Sequence, residues 1–212
     1  MPEQHEAPTL GWVPAWADLL GRSADPAGAG FILHDGPGNP AEGQEFVAGW
    51  PGPDSDELAR MAVGSPGAGL TLIVAPSAAE VPSPPGFSPA AEKILLSATT
   101  AQLNTGIDLP DNSQVALAPM DTYDAVEITV FDHPVARGRI QVRDEAAAVA
   151  ILEVPEGPDK EVFTRALFAA MAEEAFLHGA EDLHMVVEPD AAAAFQESGW
   201  TTAGRLLAFA TV

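Results

Sequence analysis

Arg137, Arg139 and Arg143 recur at period two along one predicted strand, with Gln141 between them, and so share a face. They are three of only nine Lys and Arg residues. Two readings follow: an anion site for phosphates or a carboxylate, or a solvated face paired with nearby Glu127, Asp144 and Glu145. The five histidines, His5, His34, His133, His178 and His184, include no i, i+4 pair, so no helical metal site is expected. His178 falls at a helix C-terminus, where the macrodipole accounts for it. His184, beside Met185 in a strand, reads as a core-edge histidine, and His133 as an exposed turn residue. Cys is absent, which excludes thiolate zinc sites, iron–sulfur clusters, disulfides and a Cys nucleophile. No nucleophile elbow, Walker loop or dinucleotide fingerprint occurs. The GAG triplets at 28–30 and 67–69 precede strands and read as turns.

The elements that must position these residues follow from periodicity. Residues 11–22 read as a short amphipathic helix carrying Trp12, Trp16, Leu19 and Leu20. Residues 31–34 and 45–48 are strand candidates. Residues 54–63 read as a helix with acids in its first turn. The apolar run at 70–75 is a buried strand, followed by a Pro-rich loop and a strand at 93–99. Residues 101–113 read as a linker. Beyond it, 125–131, 135–143 and 147–154 form a three-strand meander. Residues 159–178 are the strongest helix, with Val162, Phe163, Ala166, Leu167, Ala170, Met171 and Ala175 at helical spacing and Gly179 at the C-cap position. A strand at 183–187, a short helix at 191–196 and a strand at 205–211 complete the chain.

Length and charge bound the function. At 212 residues and 47% hydrophobic, the chain can bury a real core as one large domain or two small ones. The formal charge of -22 opposes binding to nucleic acid or anionic lipid. The N-terminus lacks the basic and apolar regions of a signal peptide, and no apolar run is long enough to span a membrane. A cytoplasmic protein is expected, with a homodimer open. Its two parts echo each other. LTLIVAP (70–76) matches LHMVVEP (183–189), and Ala78 and Ala79 match Ala191 and Ala192. Gly86 and Phe87 match Gly199 and Trp200, and Leu95 and Leu96 parallel Leu206 and Leu207 with a two-residue offset. WPGPDSDE (50–57) resembles VPEGPDKE (154–161) at a strand-to-helix junction. Chance produces single matches in Ala/Gly/Pro-rich chains; several in the same order point to a duplicated unit.

VARGRIQVRDEAAAVAILEV (135–154), the helix FTRALFAAMAEEAFLHGA (163–180), the strand LHMVVEP and AAFQESGW (193–200) together resemble the GCN5-related N-acetyltransferase (GNAT) superfamily, actinobacterial-type members most. The resemblance implies an α/β fold with a mixed sheet, a tandem partial repeat with a degenerate unit at 1–105 and a GNAT-like domain at 112–212. It implies acetyl transfer from acetyl-CoA to an amine of unknown identity, without a metal. Ile151, Leu152 and Val154 on the splayed strand would hold the pantetheine arm. Lys160, Glu161, Val162, Phe163, Thr164 and Arg165, at the helix start, would hold the pyrophosphate. Glu153 is the general base by position. Val162 and Thr164 occupy the family's glycine positions, Asp159 and Glu161 add negative charge, and Phe195 stands where a Tyr often serves as acid. An interaction protein that keeps the fold without catalysis is the alternative.

Overall fold

The computed structural model describes residues 9–35, 43–52, 54–78 and 81–212. His5 and Ala79 lie outside them. The first part contains α1 (Val13–Leu19), β1 (Arg22–Ala27), β2 (Gly30–Asp35), β3 (Glu45–Trp50), α2 (Ser55–Val63), β4 (Gly69–Val74), β5 (Phe87–Thr99) and α3 (Thr100–Leu103). The second contains β6 (Ser113–Pro119), β7 (Asp124–Val130), β8 (His133–Arg143), β9 (Ala146–Glu153), α4 (Lys160–Leu177), β10 (Asp182–Val187), α5 (Ala192–Gln196) and β11 (Thr201–Thr211). The described strands form one 11-stranded mixed sheet, ordered β1-β2-β3-β4-β11-β5-β10-β9-β8-β7-β6.

The order reads alike from either end of its middle. The parallel pair β3–β4 stands on one side and the parallel pair β9–β10 on the other. Between them β11 and β5 run antiparallel to their neighbours and to each other. Each is therefore inserted beside a strand of the opposite part. The register follows the internal sequence match: Leu72 pairs with Leu207, and Met185 with Leu96. Gly86 and Gly199 both adopt positive φ just before these strands, 85° and 96°, a conformation that costs glycine least.

Helix α4 forms because its apolar residues recur at helical spacing, and Phe163, Leu167, Phe168, Met171 and Ala175 are buried on the sheet. Helix α2 covers the same face over β3 and β4 through Leu58, Ala59 and Ala62. The opposite face is covered by α1 and its N-cap residue: Trp12, Val13 and Ala17 pack on Leu33, Val47, Ile73, Leu95 and Leu206. β4 is buried on both faces, as its continuous apolar run requires.

Six elements differ from the sequence expectation. The helix expected to run to residue 22 ends at Leu19, and Arg22–Ala27 is an edge strand despite Pro26, which only an edge tolerates. The meander has a fourth strand, β6, mostly exposed at the far edge. The expected linker begins with helix α3, closed by a Thr99–Gln102 capping box. Strands β5 and β11 are longer than their apolar stretches, because each is paired on both sides along the centre of the sheet.

Candidate active site

Strands β9 and β10 pair only at Leu183–Ala147 and His184–Ala148. Beyond that point the sheet opens. The edge of β9 from Val149 to Glu153 faces the gap, so its backbone groups there have no β10 partner. The equivalent pair β3–β4 stays in register over six residues, from Glu45–Gly69 to Trp50–Val74, and does not open. A register shift against β8 pairs Gly138 with Ile151 and Arg137 with Glu153, leaving Leu152 as the extra residue of a bulge.

A groove of about 680 Å³ lies at the opening. Ile151, Leu152, Glu153 and Val154 form one wall, and Lys160, Glu161 and Thr164 of α4 form the end. Ala194, Phe195 and Ser198 close the other side. Phe195 is held edge-on against Phe168, with ring centroids 5.8 Å apart. Seven of the ten sequence candidates thus meet at one groove. Val162, Phe163 and Arg165 do not line it. The helical turn directs Phe163 into the core at 5% exposure, leaves Val162 half-buried, and sends Arg165 to a separate small pocket beside Gln102 and Glu197. Ser198 carries a hydroxyl into the groove three residues after Phe195. Sequence patterning does not mark it, since a lone Ser before Gly199 reads as turn chemistry.

The apolar walls and the unpaired β9 edge fit a neutral, amide-bearing arm such as pantetheine. The helix start does not fit a diphosphate. Lys160 is held by Glu156 at 2.5 Å, and Thr164 Oγ1 donates to the Lys160 carbonyl at 2.8 Å. The first turn already uses the Lys160 and Phe163 amides, bonded to the carbonyls of Gly157 and Asp159 at 3.3 and 2.9 Å. Asp159 and Glu161 place their carboxylates at the same helix end.

The three arginines of β8 are engaged separately. Arg137 pairs with Glu127 at 3.2 Å, and Arg143 with Asp18 of α1 at 3.1 Å. Arg139 lies over the Tyr123 ring, 4.4 Å from its centroid. They form no common anion site. His184 sits at the last β9–β10 pair and stacks on Trp12, with centroids 5.6 Å apart and planes 10° apart. Its Nδ1 is buried without a hydrogen-bond partner. Burial holds its pKa below the ordinary imidazole value, against smaller opposing effects from the Ala147 backbone and Asp182. Among the described residues no group of His, Asp or Glu could hold a metal, and no helix is long and apolar enough to cross a membrane.

No protein-family model matches the sequence, and neither does any curated protein. Solved structures do match in fold. A GCN5-related N-acetyltransferase from Kribbella flavida aligns with a TM-score of 0.61 and 15% identity, over 95% of each chain. A GNAT-family acetyltransferase structure from Novosphingobium aromaticivorans aligns at 0.59 and 15% identity, over 97% of each. A tandem GNAT protein from the clavulanic acid biosynthesis pathway aligns at 0.57 and 10% identity, over 94% of this chain and 88% of that one.

Proposed function

We propose that this chain, which has the fold of the GCN5-related N-acetyltransferases, is a cytoplasmic N-acyltransferase that takes an acyl-pantetheine arm between β9 and β10. The observation that carries the reading is the opening of the sheet beyond Ala148, in front of an apolar groove and in only one of two equivalent places. Acetyl-CoA, when bound, supplies an acetyl thioester for an amine to attack. The chain's own contribution is positional. The free β9 edge offers N–H and C=O groups to the arm's amides, and Ile151, Leu152 and Val154 exclude water along it. Glu153, exposed at the end of β9, accepts the proton that a protonated amine must lose. The charge of -22 raises the local concentration of cationic amines.

A second reading rests on the acidic helix start and on Phe195, which has no proton to donate. In it the groove binds its ligand without turnover. Calorimetry with acetyl-CoA, followed by thiol release with a panel of polyamines and aminoglycosides, separates the two. Saturable heat abolished by Leu152→Asp supports the groove; thiol release then supports transfer, and its absence the binding protein. No heat, or heat unaffected by Leu152→Asp, overturns the site itself.

A further inference from the structure

The same face of the sheet carries a second groove of about 700 Å³, between the end of β3, the start of α2 and the loop before β5. Its positions answer to those of the first. The WPGPDSDE/VPEGPDKE match sets Trp50 and Asp56 against Val154 and Lys160; carried one helical turn further, it sets Arg60 against Thr164, and the spacing of the LTLIVAP/LHMVVEP match sets Pro82 against Phe195. Its chemistry is different. β3 and β4 stay paired to Trp50–Val74, so the floor is closed and Leu72 lies on it; no arm can enter the sheet. The cation is also differently placed. Lys160 in the first groove is bound to Glu156, whereas among the described residues no carboxylate lies within ion-pair distance of Arg60. Asp54, at the helix start, is turned away and accepts from the Ala29 amide. Among the described residues Asp56 is the one acid on the wall.

We propose that this groove binds a small apolar monocarboxylate, its aryl or branched alkyl body against Trp50 and the prolines and its carboxylate on Arg60. A guanidinium offers paired N–H donors that match a planar carboxylate. Among the described residues Arg60 is the groove's one cation and Asp56 offsets part of it, so a second negative charge on the ligand meets only repulsion, which disfavours a phosphate. The apolar wall supplies the contact area that small-ligand sites need. This site is independent of the β9–β10 groove.

The test compares 4-phenylbutyrate with its neutral amide, by calorimetry and by tryptophan fluorescence. Trp12 and Trp200 are buried and Trp16 lies with α1 on the opposite face, so quenching that disappears in Trp50→Phe reports this groove. The acid should bind saturably and about fivefold tighter than the amide, the size of a partly exposed ion pair. Arg60→Gln should remove that preference while the amide binds unchanged, and Leu152→Asp should alter neither. Equal binding of acid and amide to the unaltered protein, no saturable binding of the acid, or loss through Leu152→Asp would each overturn the proposal.

Discussion

Asp159 and Glu161 set the terms for any anion at the start of α4. Each carboxylate satisfies the positive end of the helix dipole and repels a phosphate approaching the same amides. Acetyl-CoA should therefore bind weakly, with a Kd above about 100 μM. The double variant Asp159→Asn, Glu161→Gln should tighten it by about tenfold, from two like charges removed near the diphosphate. Calorimetry on both proteins checks this, and unchanged affinity would place the phosphates elsewhere. His184 has a different consequence. Its folded pKa is lowered by burial, so on acidification the unfolded chain takes up a proton before the folded protein does. The stability it contributes is complete above about pH 6.5 and is lost as pH falls through the folded value. Urea midpoints at pH 7.5 and pH 5.5 should differ less in His184→Gln than in the unaltered protein. An equal drop in both would assign the acid sensitivity to other groups.

At the scale of elements, α4 is fixed to the sheet by Leu167, which is 0% exposed. Leu167→Ala should cost about 2–5 kcal/mol, because the cavity left in a packed face relaxes only in part. Chemical denaturation measures this, and a loss below about 0.5 kcal/mol is what a surface position would give. The turn between β8 and β9 is strained: Asp144 and Glu145 both have positive φ, 49° and 65°, where hairpins favour Asn-Gly. Replacing the pair by Asn-Gly should raise stability by about 1 kcal/mol, read from the same denaturation curves. α4, β4 and β10 were legible because their apolar residues keep a helical period or an unbroken run. β1 was not, since Arg22-Ser-Ala-Asp-Pro-Ala has neither alternation nor β-branched residues. β6 was hidden by exposure on nearly its whole length. The residues of the candidate groove on β9 and α4 could be named in advance from the family likeness. The opening itself could not, because it consists of hydrogen bonds not made. Leu152's bulge and Ser198's placement depend on register and on the path of a turn, which the sequence does not encode locally.

For the whole molecule the decisive relation is between β5 and β11. A fragment 1–105 lacks the strand that fills the space between β4 and β5, and 112–212 lacks the one between β10 and β11. Each fragment would expose unpaired edges on both sides of a missing strand. Expressed alone, neither should give a dispersed amide spectrum; co-expressed, they should assemble with one unfolding transition. A folded fragment on its own would show that the central pairings are dispensable.

The placement of β11 also orders events during translation. It is made after every other strand of the sheet, yet it belongs in the middle. While the ribosome adds more than a hundred residues beyond β5, the early strands β1 to β4 have no partner for the inner edge of β4. That edge, the apolar run Leu70–Val74, is an unpaired strand edge of the kind that associates with other chains. The acidity of the chain then has a role before the fold exists. Like charge opposes contact between two such unfinished sheets until the last strand pairs.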